Sequence, residues 1–265
     1  MSSIRLSETA RAAFVPSGEY QQFIGGDWVS GRSTFDAIDP SVGSAWAVLP
    51  QGTAADAQSA VSAAVRAFGQ WRRTTQDQRQ AILLSIADRF ESDGERFGAL
   101  LATENGRPVR EAGIADIPTV AAIFRFYAGV IRAFNGEQIP LANADTLLYT
   151  KREPLGVVAA IISWNSPLIT FANKVAPALA AGNTVVVKPS EYASASILAV
   201  HPVDRGPTAG GCVEHRDRSR PRDRSGVGLA PRCSQDHVHR RTGNRASNSR
   251  ICGPHIAAEF DGARR

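Results

Sequence analysis

Two short polar clusters, each closing an apolar run, hold the side chains with the greatest chemical capacity in this chain. Leu155 to Ile162 is unbroken, apolar and partly β-branched, and it gives way to Ser163-Trp164-Asn165-Ser166. Thr184 to Val187 gives way in the same manner to Lys188-Pro189-Ser190-Glu191. The first run, bounded by Pro154 and a polar turn, reads as a strand buried on both faces of a parallel sheet. Pro167 then enters a helix, with Ser166 suited to the N-cap and proline to the first helical position. Leu168, Phe171, Val175 and Leu179 form an apolar face spaced by three or four, and Gly182 supplies the stop. Strand, turn, helix and strand make a βαβ unit, and in an open α/β sheet the loops at the carboxyl ends of the strands are where ligands sit. On the residues alone, Asn165 reads first as an asparagine satisfying its own turn. Lys188 and Glu191 read equally as a surface ion pair at a helix start.

The segments that must position these loops come earlier. Phe23-Ile24-Gly25-Gly26-Asp27-Trp28-Val29 reads as a hairpin with the glycine pair at its turn, and Asp39-Pro40 with Gly43 punctuates a second. Thr53 to Asp56 offers a capped start for a helix whose apolar face is Ala57, Ala60, Val61, Ala64, Val65, Phe68 and Trp71. Thr75-Gln76-Asp77-Gln78 is a capping box for a second helix, with Ile82, Leu83, Ile86 and Phe90 inward. A third carries Phe97, Leu100 and Leu101 and stops at Gly106 before Pro108. A fourth runs from about Val109 to Ala133 with Val120, Phe124, Tyr127 and Ile131 inward. Residues 137–153 read as two short strands around a polar turn, an exposed ribbon whose edge invites a partner.

LGVVAAIISWNSPL followed by NTVVVKPSE closely resembles the start of the cofactor-binding domain of NAD(P)-dependent aldehyde dehydrogenases, with both motifs at the family's spacing. The resemblance covers roughly residues 20–198. It implies an α/β fold, the N-terminal part of the aldehyde dehydrogenase fold: an incomplete Rossmann-like parallel sheet with flanking helices and a β-ribbon. It also implies a division into a flexible lead-in (1–19), N-terminal strands and helices of the cofactor domain (20–136), an oligomerisation ribbon (137–153) and the start of the NAD-binding sheet (154–200). In such an enzyme a thiolate attacks the aldehyde, the oxyanion is stabilised while hydride leaves for the nicotinamide, and water cleaves the thioester. Asn165 matches the family asparagine whose amide donates to that oxyanion, an uncharged donor stabilising charge that develops only in the transition state. Lys188 and Glu191 match positions contacting the adenosine ribose, and a carboxylate there repels a 2′-phosphate, which favours NAD over NADP. Ile161, Ile162 and Trp164 match residues lining the cofactor channel; the plainer reading is sheet core. Ser163 and Ser166 depart from the family's common proline and aromatic, which bears on substrate preference more than on reaction type. The implied partners are a small aldehyde and further copies of the same chain.

Composition divides the chain near residue 200. Residues 201–265 hold thirteen arginines, no lysine and seven acids, against seventeen bases and eighteen acids before them. All five histidines and all three cysteines lie in that last stretch, with one of the 19 aromatics, Phe260. The first part is an ordinary globular composition; the second matches no folded domain. No targeting segment is visible in the opening residues, and Leu155 to Ile162 is too short to span a bilayer. With no cysteine in the first part, a cytoplasmic location is expected. The tail reads as disorder, as an arginine-rich nucleic-acid binder, or as a metal site from Cys212 with His215 or Cys233 with His237 and His239. It lacks the ligand spacing and aromatic interleaving that the last two need, so no metal is assigned and nucleic acid is disfavoured.

A fourth reading of the tail follows from the genetic code. With arginine as CGN and the frame advanced by one nucleotide, codons for Thr208 to Arg218 permit LPAGVLNIVTG. Codons for Ala230 to Arg245 permit HPDV, then FTGG, then ETG. These strings look like the family segments that follow KPSE, in order, so a one-nucleotide frameshift near Val200 is expected, with residues 201–265 out of frame. None of Cys212, Cys233 and Cys252 resembles the family's nucleophile setting, and the general-base glutamate is also missing. The chain as written is then expected to be a truncated, inactive member with Val157–Ile161 and Val185–Val187 uncovered, poorly soluble or partly unfolded. Two other classes remain: a non-catalytic subunit pairing with an intact relative, and the arginine-tail binder.

Overall fold

A computed structural model describes residues 18–143 and 145–200. The frameshift, the tail readings at 201–265 and most of the 1–19 lead-in lie outside the described residues. At its end, Glu19 already bridges to Val48 and Tyr20 N–H donates to the Val48 carbonyl at 2.9 Å.

The chain opens with two antiparallel hairpins. β1 (Gln22–Ile24) pairs β2 (Asp27–Val29) around Gly25 and Gly26, whose φ of 68° and 103° only glycine adopts without strain. β3 (Ser33–Asp39) pairs β4 (Ser44–Gln51), with the register slipping between Ala37 and Ile38. Three helices follow: α1 (Ala54–Trp71), α2 (Gln76–Ser92) and α3 (Gly94–Asn105). The expected capping box of Thr75 with Gln78 forms, and the capped start at Thr53 is a second box, with Asp56. In each box one hydroxyl and one side-chain acceptor satisfy amides that the first helical turn leaves without partners. Thr53→Ala is expected to cost about 1 kcal/mol in urea unfolding, the usual worth of such a cap; an unchanged midpoint would show the box to be idle.

α3 ends where expected, at Gly106 with φ 74°. The fourth helix is not continuous. It begins as α4 (Val109–Glu111), widens into a π segment over Ala112–Asp116, continues as α5 (Ile117–Val130) and tightens at Ile131–Ala133. Over Val109–Ala133 an 18-residue window reaches a mean hydropathy of 1.5, so by length and composition this stretch is able to cross a membrane. Here its inward face, Val120, Ala121, Phe124 and Ala128, is buried in the core it shares with α2 and α6 (Pro167–Ala180). Arg125 and Arg132 on its outer face pair with Asp88, Glu91 and Asp77 of α2. A row of rings crosses this core: Phe90 lies 4.7 Å from Phe97 and 6.0 Å from Phe124, which lies 6.2 Å from Phe171.

The ribbon of 137–153 is β5 (Gln138–Ile139) paired antiparallel with β6 (Leu148–Tyr149), all exposed. β7 (Val157–Ile161), α6 and β8 (Thr184–Lys188) then form the βαβ unit, with β7 and β8 parallel, and α7 (Ala195–Leu198) closes the described chain. Thus the α/β architecture read from the sequence, a short parallel sheet with flanking helices and a ribbon, is the one observed over these residues. Arg79 of α2 donates to the Ala180 carbonyl at 3.0 Å, holding the end of α6 where Gly182 turns the chain with φ 86°.

Three burial expectations need correction. Val65 is 58% exposed, because the buried stripe of α1 runs through Ala60, Ala63, Ala64 and Trp71 and leaves Val65 at its rim. β7 is not buried on both faces: Ala160 is buried while Ala159 and Ile161 are exposed, and Leu155 lies outside the strand. Val185–Val187, expected to be uncovered, are buried instead. Val186 packs on Ala60 and Ala64 of α1, Val185 and Val187 join the core that contains α6, and Thr184 Oγ1 donates to the Ala64 carbonyl at 3.0 Å. Helices from residues 54–71 and 167–180 therefore pack on opposite sides of β8.

Candidate functional site

Parallel pairing sets the geometry. Ile161 lies opposite Lys188 at the end of the register, so the loops after β7 and β8 leave the same, carboxyl end of the sheet. One further bond ties them, from the Ile162 N–H to the Lys188 carbonyl at 2.9 Å. The carboxamide loop and the ammonium–carboxylate loop are thus neighbours, as the βαβ reading requires.

In the first loop Asn165 is exposed at the head of α6, and its side-chain amide has no hydrogen-bond partner among the described residues. The turn is held from outside. Arg107 Nη1 donates to the Asn165 carbonyl at 3.3 Å and to Ser166 Oγ at 3.5 Å, and Asn105 Nδ2 donates to the Trp164 carbonyl. The alternative that Asn165 satisfies its own turn therefore does not describe this loop. Ser166 occupies the N-cap position, but its side chain makes no capping bond. At φ −146°, ψ 67° its backbone lies away from the extended conformation of Thr53 (ψ 168°), and its hydroxyl faces Arg107 instead. Pro167 stands at the first helical position as expected, and Ser163 Oγ lies 3.1 Å from Thr170 Oγ1.

Of the three residues matched to a cofactor channel, Ile161 (37% exposed) and Trp164 (56%) lie open at this end of the sheet. Ile162 does not: at 2% exposure it belongs to the core. The physical reason is strand alternation, which puts Ala160 and Ile162 on the buried side and Ala159 and Ile161 on the other. Ile162 contributes to the site through its backbone N–H rather than its side chain.

In the second loop Lys188 is half-buried, its Nζ 3.4 Å from the Pro189 carbonyl. No ion pair joins it to Glu191 among the described residues, so the surface-pair alternative does not hold either. Glu191 is half-buried and lines a cleft of about 630 Å³ with Phe35, Asp36, Glu104, Tyr192 and Ser194.

Sequence reasoning missed Glu104, Asn105, Arg107 and Asp116. Glu104 is buried at the start of α7, with Oε2 accepting the Ser196 N–H at 3.1 Å. Burial pushes its carboxyl up to about 7 against hydrogen bonds from Ser196 and Ala195. Tyr20 is pushed up to about 12, by burial first and by Glu104 second. Arg107 Nε lies 2.5 Å from Asp116 Oδ2, a contact of charges rather than an aligned hydrogen bond. The one local signal was a lone acid, Glu104, closing the apolar run Leu100-Leu101-Ala102-Thr103 before Gly106.

Comparison with known proteins agrees with this geometry. Residues 28–203 match the sequence profile of the Aldehyde dehydrogenase family. A long-chain-aldehyde dehydrogenase of Acinetobacter is 44% identical over 184 residues, which are 69% of this chain and 36% of that protein. Acetaldehyde dehydrogenase 2 of Cupriavidus necator is 43% identical over 68% of this chain and 36% of its own length. Among solved structures, an aldehyde dehydrogenase mutant from Bacillus cereus superposes with a TM-score of 0.74 at 31% identity, covering 81% of this chain and 45% of that one. A betaine aldehyde dehydrogenase mutant from Staphylococcus aureus, solved with NAD+, gives 0.70 at 32% identity over 73% and 41%. The chain thus spans a little over a third of the length of the curated relatives it matches. A profile match over most of the chain, relatives above 40% identity and superposition on solved aldehyde dehydrogenases lead to one conclusion: this chain belongs to the aldehyde dehydrogenase family.

Proposed function

We propose that residues 18–200 carry the cofactor-facing start of an NAD-dependent aldehyde-oxidising site. The observation that carries this reading is the exposed Asn165 carboxamide, without a partner among the described residues, one strand away from the Lys188–Glu191 loop. The residues present fit a dinucleotide. Among the described residues Lys188 offers a cation engaged only with a neighbouring carbonyl, Glu191 a half-buried carboxylate on the same loop, and Ile161 with Trp164 an open apolar surface. Lys188 and Glu191 would hold the adenosine ribose hydroxyls, and the Glu191 carboxylate would disfavour a 2′-phosphate, which selects NAD over NADP. When bound, the nicotinamide supplies the hydride acceptor. The Asn165 amide would donate to the oxygen that becomes negative as the aldehyde carbon turns tetrahedral, an interaction strongest in the transition state.

Residues 1–200 contain no cysteine, so the nucleophile is not among the described residues. On this reading 20–136 and 154–200 form the cofactor part, and 137–153 pairs subunits. Leu147 and Tyr149, 68% and 63% exposed on that ribbon, support the pairing. The expected frameshift near Val200 accounts for the arginine-rich composition beyond it, and resequencing the DNA around codon 200 decides it.

Calorimetric titration of the 265-residue chain tests the functional reading. NAD is expected to bind more tightly than NADP, without aldehyde-dependent NADH formation. Lys188→Ala is expected to weaken NAD about tenfold or more, the scale of a hydrogen bond to a charged group, about 1.5–3 kcal/mol. Glu191→Gln should narrow the NAD preference. Equal affinity of wild type and Lys188→Ala would end the assignment.

A further inference from the structure

We propose that Asn105 and Arg107, on either side of Gly106, are positioning residues that clasp the turn bearing Asn165. The inference rests on the reading of Asn165 given above. Three consecutive residues of the turn are held from this one short segment: the Trp164 carbonyl by Asn105, and the Asn165 carbonyl and Ser166 hydroxyl by Arg107. These contacts bridge 58 and 59 residues of sequence, so they join α3 to the βαβ unit rather than closing a local turn.

The clasp is itself anchored. Arg107 pairs with Asp116, whose side chain is 4% exposed and sits at the last position of the π segment. Such wide turns occur as single insertions within helices, frequently at functional sites. Gly106 fits against Pro40 so closely that a Cβ would come within 2.8 Å of its ring, and its φ of 74° is a conformation that side chains rarely adopt. The guanidinium fork divides its contacts: Nε faces the carboxylate and Nη1 faces the turn. Because Asn105 and Arg107 satisfy the turn's backbone acceptors, the Asn165 carboxamide is not consumed in stabilising its own loop. An amide meant to act on a ligand has to be spared in this way, since an Asn that closes its own turn is fixed there through its Oδ1 acceptor and cannot aim its N–H donors at a ligand.

Trp164 sits inside the clasped turn and reports on it. The full chain labelled with 5-fluorotryptophan has four fluorine signals, from Trp28, Trp46, Trp71 and Trp164, and Trp164→Phe assigns the last. Trp71, 0% exposed, monitors the core. Arg107→Ala is expected to move the Trp164 signal at least halfway to the position of the free amino acid while Trp71 stays in place. Arg107→Lys, which keeps a cation for Asp116 and one donor for the turn, is expected to restore half or more of that displacement. Should Arg107→Ala lose the Trp71 signal too, Asn105→Ala, which removes a single neutral hydrogen bond, decides by the same criterion. An unmoved Trp164 signal beside an intact Trp71 signal, or a lysine variant that restores nothing, overturns the clasp. No dinucleotide takes part in this measurement. A chain that shows the shift but fails to bind NAD loses the functional reading and keeps the clasp; a chain that binds NAD without the shift loses only the clasp.

Discussion

Phe124→Ala is expected to lower the unfolding free energy of this chain by about 3–5 kcal/mol, the range for emptying a buried aromatic site. Phe124 is 0% exposed and is the third of four rings in the row Phe97, Phe90, Phe124 and Phe171. Those rings belong to α3, α2 and α6, so its removal loosens α5 from its neighbours and with them the helix whose head carries Asn165. Phe124→Leu keeps most of the volume and is expected to cost less than half as much. Urea unfolding followed by circular dichroism measures both, and a shift in midpoint without a change in slope assigns the loss to stability. Against a total of about 5–15 kcal/mol for a domain, such a loss is large enough to leave part of the population unfolded. A cost under about 1 kcal/mol would mean that the helices are not assembled around this ring.

Stability is also expected to fall as pH rises from about 5 to 8, through Glu104. Its carboxyl has an ordinary value of 4.5 and is pushed up to about 7 in the folded chain. Below pH 4.5 it is protonated in both states and its stabilising contribution is complete. As pH rises further, the unfolded chain releases the proton while the folded chain keeps it, and the contribution drains away until the folded group ionises near pH 7. The full span of that loss is about 3 kcal/mol, from 1.36 kcal/mol per pH unit between the two values. Glu104→Gln keeps an oxygen for the Ser196 amide and removes the titration, so its unfolding free energy should be flat over the window and exceed wild type at pH 8. Parallel profiles for the two proteins would contradict the burial of a titrating carboxyl at this position.

The features legible in the sequence are those whose causes are local. Thr53-Asp56 and Thr75-Gln78 carry their own caps, so the helix starts were fixed within four residues. Gly25, Gly26, Gly106 and Gly182 mark turns because positive φ is cheap only for glycine. What failed depended on distant partners. An apolar run does not say how many faces its neighbours will cover, so Leu155–Ile162 read as doubly buried although Ala159 and Ile161 are open. The same blindness made Val185–Val187 read as bare when α1, more than a hundred residues earlier, covers Val186 and α6 covers Val185 and Val187. Asn105, Arg107 and Glu104 act on partners 58 to 92 residues away, and no periodicity announces such contacts. The π segment at Ala112–Asp116 has no compositional mark at all.

Two loops at one end of a parallel strand pair are proposed to hold a dinucleotide. Amide chemical shifts of the 15N-labelled 265-residue chain, recorded as NAD is added, test this most directly. The largest changes are expected to fall together on residues 161–166 and 188–191, with the ribbon at 137–153 silent. Changes confined to one loop, or centred elsewhere on the fold, would contradict it.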